Sequence, residues 1–100
     1  MGSLNGEKTM NSYTITAKVG NMREGITWLR YTAEGFMSER YDFAPYFDIK
    51  DAMAAFDHVA TADYVLGDGF APGQTVVLHL DGYCEDKDLN ERILTKAVEL

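Results

Sequence analysis

The sequence predicts a single α+β domain in which a small antiparallel sheet packs on one amphipathic helix. Three observations carry that class. Residues 12–19 alternate apolar and polar side chains, residues 49–60 repeat apolar ones at helical spacing, and 100 residues leave room for one core. The apolar fraction is 46%, enough to fill that core and to argue against disorder away from the ends.

Taken in order, Met1 to Met10 lacks the positive start and apolar stretch of a secretory signal. Residues 1–11 read as a flexible leader ahead of a domain at 12–100. Tyr13, Ile15, Ala17 and Val19 then share one face, with Thr14, Thr16 and Lys18 on the other, marking a half-buried strand. Gly20 to Gly25 is a turn bracketed by glycines. Ile26 to Ala33 is apolar on both faces and suits a central strand. Glu34-Gly35 has the length of a two-residue hairpin loop, and Phe36 to Phe43 alternates again, which makes a three-stranded meander ended by Pro45.

Asp48 stands where a helix N-cap belongs, and Asp51 adds a carboxylate to the first turn. Ile49, Ala52, Met53, Phe56, Val59 and Ala60 form its apolar stripe, opposite Lys50, Asp57, His58 and Thr61. Residues 65–73 are a glycine-rich connector, and Thr75 to Leu80 is a fourth strand. The tail has two readings. Leu89, Ile93, Leu94, Ala97 and Val98 fit a short C-terminal helix capped by Asp88, which is preferred. The same stretch also fits an edge strand, Arg92 to Val98, returning on strand four through an acidic turn.

Charge excludes several functions. The net charge is −7, and residues 34–100 hold fourteen acids against five bases. Binding to phosphate backbones or anionic lipid relies on clustered Lys and Arg, so direct nucleic-acid or membrane binding is disfavoured. Attraction to a basic protein surface is the converse expectation. The single cysteine, Cys84, excludes an intrachain disulfide and any cysteine-rich zinc site. No stretch is long and apolar enough to span a bilayer, and the default compartment is the cytoplasm.

Chemistry-bearing residues lack the company that catalysis needs. His58 and His79 have no second ligand at metal spacing, and structural roles are preferred for both. Cys84 is flanked by acids, which disfavour its thiolate. Gly67, Gly69 and Gly73 lead into a strand without the lysine of a phosphate loop. The acids at 81–92 lack the central glycine and terminal glutamate of a calcium loop. No enzyme, cofactor or metal is expected.

The favoured function is an acidic interaction module that engages a basic protein through Tyr46, Phe47, Asp51, Asp57, Glu85, Asp86 and Asp88. Carboxylates and amphipathic aromatics together are a common makeup for binding surfaces. In size and charge alone the chain resembles, as a class, phage inhibitors of host defence such as anti-CRISPR proteins and DNA mimics. That resemblance implies an inhibitor or accessory protein of a phage or mobile element. The alternative is a small-molecule-binding domain or compact enzyme, with Arg30, Arg40, His79, Asp81 and Tyr83 gathered at one end of the sheet near the glycine-rich loop. In a further reading Leu94, Val98 and Leu100 join two copies, so that the protein is a monomer or a homodimer.

Overall fold

A computed structural model of the chain describes residues 10–21, 23, 25–32, 35–38 and 46–100. Five strands form one antiparallel sheet: β1 (Ser12–Asn21), β2 (Gly25–Thr32), β3 (Gly35–Ser38), β4 (Thr75–Cys84) and β5 (Leu89–Glu99). Their spatial order is β3-β2-β1-β4-β5. Two helices, α1 (Ile49–Val59) and α2 (Ala62–Gly67), connect β3 to β4 across one face of the sheet. The α+β class is as the sequence predicts.

The period of two in β1 decides which side is covered. Ile15 pairs with Leu80, Ala17 with Leu78 and Val19 with Val76, so three apolar pairs line the helical side. Against them lie Ala52, Phe56 and Val59 of α1 and Val65 of α2, all buried. Burying each large side chain of this set is worth about 1.5–3 kcal/mol, which makes this layer the main source of stability. Val98 of β5 is buried in the same cluster, and Leu94 and Leu100 pack against it. Of the three residues named for the two-copy reading, Val98 is thus buried within the chain, and Leu94 and Leu100 are partly buried.

The three strands of the meander appear in the expected order, with β1 extending to Asn21. Gly20 adopts φ 100°, where a Cβ would run into the Gly25 carbonyl, so the first hairpin needs glycine there. Thr32 pairs with Gly35, so the second hairpin closes across residues 33–34. Residues 33–34, and residues 39–43 of the expected third strand, lie outside the described residues, as do residues 1–9 of the expected leader. Met10 packs against the core, and Asn11 donates its backbone N–H to the Tyr83 carbonyl at 2.7 Å.

Asp48 caps α1 as its sequence position implies, its Oδ1 accepting from the Lys50 N–H at 2.7 Å. The buried stripe is narrower than the helical spacing suggests, because Ile49 and Met53 stay exposed at its edges. Helix α2 is not foreseen and overlaps the expected connector at residues 65–67. The Thr61 hydroxyl caps it by accepting from the Tyr64 N–H, and Val65 anchors it. At its far end Asp68 Oδ2 accepts from the Phe36 N–H at 3.0 Å, tying the helical layer to the start of β3.

The C-terminal segment corrects the preferred reading: residues 89–99 are a strand, not a helix. β5 pairs with β4 along its whole length, and the register slips by one residue between Leu80 and Asp81. Leu94 faces Leu80 and Arg92 faces Asp81, leaving Ile93 as an extra residue in a bulge.

Candidate functional site

The seven residues expected to meet a partner divide between two places. Tyr46 forms a backbone bridge with Tyr13, its carbonyl accepting at 2.7 Å and its N–H donating at 2.9 Å. Its side chain is half-buried against the core, and that burial, followed by the nearby Tyr31 and Asp51, pushes its phenol up from its usual range. Phe47, the next residue, is 76% exposed, and Asp51 is exposed one turn into α1. Asp57 is exposed further along the same helix.

Glu85, Asp86 and Asp88 form most of the four-residue turn between Cys84 and Leu89, all exposed. Asp88 sits at φ 47°, and its Oδ1 accepts from the Tyr83 hydroxyl at 2.9 Å, which raises the phenol's pKa. The Glu85 N–H donates to Asn11 Oδ1, pinning the turn to the start of β1. Tyr13 pairs with Gly82 and bridges Tyr46, so Tyr46 and the acidic turn share one end of the sheet, with Asp57 at the far end of α1. Among the described residues, no lysine or arginine forms an ion pair with Asp51, Asp57, Glu85 or Asp86.

The four described residues of the alternative site, Arg30, His79, Asp81 and Tyr83, are not gathered at the glycine-rich loop. Arg40 lies outside the described residues. Arg30, His79, Asp81 and Tyr83 occupy the sheet face that carries no helix, because each sits one position out of phase with the core-facing residues. The glycine-rich loop precedes β4 at the opposite end, where the hollow beside it is lined by Val19, Leu29, Phe36 and Phe70. That neighbourhood is largely apolar.

The helix-free face instead holds a polar groove of about 520 Å³, lined by Thr14, Thr16, Trp28, Arg30, Asp81 and Arg92 among others. Arg92 Nε donates to Asp81 Oδ1 at 3.0 Å across the β4–β5 pair. Trp28 stacks on His79 with ring centroids 6.0 Å apart, and Lys18 Nζ lies 5.9 Å from the indole centroid. His79 is 6% exposed, and its Nδ1 hydrogen-bonds with Thr95 Oγ1 at 3.0 Å. Burial pushes His79 below its ordinary pKa, and the positive charges of Arg92 and Lys18 push the same way, against Asp81. The Thr16 hydroxyl at the floor is buried with no hydrogen-bond partner among the described residues.

Thr16, Trp28 and Arg92 are additions that the sequence reading left out. The signal for the first two was present: Thr16 falls on the polar phase of strand one, and Trp28 and Arg30 alternate in strand two. Arg92 required knowing that the tail is a strand. Among the described residues, no group of three or more His, Cys, Asp or Glu side chains is arranged to hold a metal ion. Among the same residues, no helix is long and apolar enough to cross a membrane. Comparison with protein-family models, with curated proteins and with solved structures finds no match.

Proposed function

We propose that this protein is an acidic interaction module that docks on a basic protein surface through the end of the sheet carrying Phe47, Asp51, Glu85, Asp86 and Asp88. The observation that supports it is a set of exposed carboxylates without lysine or arginine partners among the described residues, beside a phenylalanine that is 76% exposed. A carboxylate already neutralised by its own chain has little left to offer a partner. Among the described residues, no lysine or arginine neutralises these. Phe47 supplies the apolar anchor that charge alone lacks, since buried aromatics dominate the energetics of most interfaces.

The partner's chemistry is argued from the sign and exposure of these charges. A hairpin tip and a helix N-terminus presenting carboxylates at one end of the sheet suit a channel built to accept phosphates. An inhibitor or accessory protein of a phage or mobile element, acting in the cytoplasm on a nucleic-acid-binding protein of its host, fits that requirement. Charges of this kind speed association more than they slow dissociation, and they are screened by salt.

The test is affinity capture from lysate with two baits, the native chain and one carrying Asp51→Asn, Glu85→Gln, Asp86→Asn and Asp88→Asn. The native bait should retain a basic protein at about 50 mM salt and lose most of it at about 500 mM, where the Debye length falls to roughly 4 Å. The neutralised bait should retain little at either. Equal capture by both baits, or capture indifferent to salt, would remove the proposal.

A further inference from the structure

The polar groove on the helix-free face is chemically unlike the rest of the molecule. The chain carries a net −7, yet Arg30 and Arg92 line the groove with Asp81 as the acid, and Lys18 stands beside its Trp28. Its volume of about 520 Å³ falls in the range of small-ligand sites rather than of macromolecular interfaces. Two features point to what fills it. Thr16 is 7% exposed, and its hydroxyl, buried in the floor, lacks a hydrogen-bond partner among the described residues. Trp28 is 39% exposed on the wall, backed by His79 and flanked by Lys18.

We propose that this groove binds a small aromatic carboxylate, with its ring against Trp28 and its carboxylate received by Arg92 and the Thr16 hydroxyl. Arg92 is suited to that task because its bond to Asp81 uses Nε. The guanidinium is thereby held in place, while its terminal amino groups remain as donors for a second, planar acceptor. A hydroxyl on the sheet floor gains in the complex the hydrogen bond it otherwise lacks. A flat ring is favoured over an aliphatic one by the indole face, which offers stacking as well as apolar area. A free phosphate would satisfy Arg92 but leave Trp28 unused. The site stands on residues separate from the acidic end and does not depend on its role.

Trp28 is the one tryptophan in the chain, so its fluorescence reports on this groove alone. The full chain is titrated at constant ionic strength with sodium benzoate, cyclohexanecarboxylate and inorganic phosphate in parallel, with calorimetry to separate binding from collisional quenching. Benzoate should bind saturably below about 10 mM, and more tightly than either of the other two. Arg92→Gln should weaken benzoate about tenfold, as expected for loss of a charge-assisted hydrogen bond, and Thr16→Val should weaken it by roughly threefold. Thermal melts of both variants show whether they are folded, and Thr16→Val, which keeps the shape and every charge, serves where Arg92→Gln is not. Glu85→Gln with Asp86→Asn should leave benzoate affinity unchanged. Absence of saturable benzoate binding, phosphate binding as tight as benzoate, or equal benzoate affinity in folded Arg92→Gln and Thr16→Val would each overturn the proposal.

Discussion

His79 shows how one residue is shaped by a position that its sequence neighbours do not reveal. Sequence places it on the polar phase of β4, away from Val76, Leu78 and Leu80, yet it is 6% exposed. The indole of Trp28 and the Thr95 hydroxyl cover it, and both come from other strands. Burial first, then Arg92 and Lys18, hold its pKa below the ordinary 6.5, with Asp81 opposing. Protonation is therefore harder in the folded chain than in the unfolded one, where the imidazole titrates normally. Stability from this source is complete above about pH 6.5 and is lost as the pH falls from there through the lower folded value. Urea midpoints measured from pH 7.5 down to 5.5 should decline in the native chain and decline less in His79→Gln. Parallel curves for the two proteins would show that His79 titrates alike in both states. The chain holds a second histidine, His58, so it is the difference between the two proteins, and not the native curve alone, that reports on His79.

At the scale of elements, what was legible depended on whether a pattern was local. β1 and α1 each carry their own periodicity and, in α1, their own cap, so both could be read from consecutive residues. Helix α2 could not, because six residues with one buried side chain, Val65, are too short to display a period. β5 misled for a structural reason. Its bulge inserts Ile93 beside Leu94, and both reach the helical side: Leu94 pairs with Leu80, and Ile93 Cδ1 lies 3.1 Å from where a Cβ on Gly82 would stand. Two successive core-facing residues break the period of two and imitate the spacing of a helix. The candidate residues follow the same rule: exposed carboxylates are legible singly, whereas the groove is assembled from β1, β2, β4 and β5. A deletion experiment separates strand from helix. Removing Ile93 leaves Leu94 opposite Leu80 and Arg92 opposite Asp81, so the ladder closes without a change of register. The cost should be roughly 2 kcal/mol, that of losing one half-buried isoleucine. Removing Thr95 instead flips one side of β5 onto the wrong face and should be far more damaging. Denaturant midpoints for the two deletions give the comparison, and equal losses would contradict the bulged register.

Over the whole molecule, charge is sorted by layer. The helical segment from Asp48 to Asp68 holds five aspartates and one lysine, whereas the opposite face of the sheet carries Lys18, Arg30 and Arg92 with Asp81 and Glu99. A partner and a small anion would thus approach from different directions, each met by the sign it requires. The arrangement also carries a cost that should be measurable without any ligand. Asp51, Asp57 and Asp63 are exposed on one layer, and their mutual repulsion opposes the compact state. The Asp81–Arg92 pair, with Arg92 half exposed, returns only about 0–1 kcal/mol. Screening should therefore help the fold more than it harms it. Raising sodium chloride from about 10 mM to about 300 mM shortens the Debye length from about 30 Å to roughly 6 Å, removing most repulsion between exposed aspartates a helical turn or two apart. The melting temperature should rise over that range, and replacing Asp57 and Asp63 with asparagine should flatten the rise. A melting temperature that falls with salt would mean that attractive pairs outweigh the repulsion, leaving the helical layer with no surplus of negative charge to present to a basic surface.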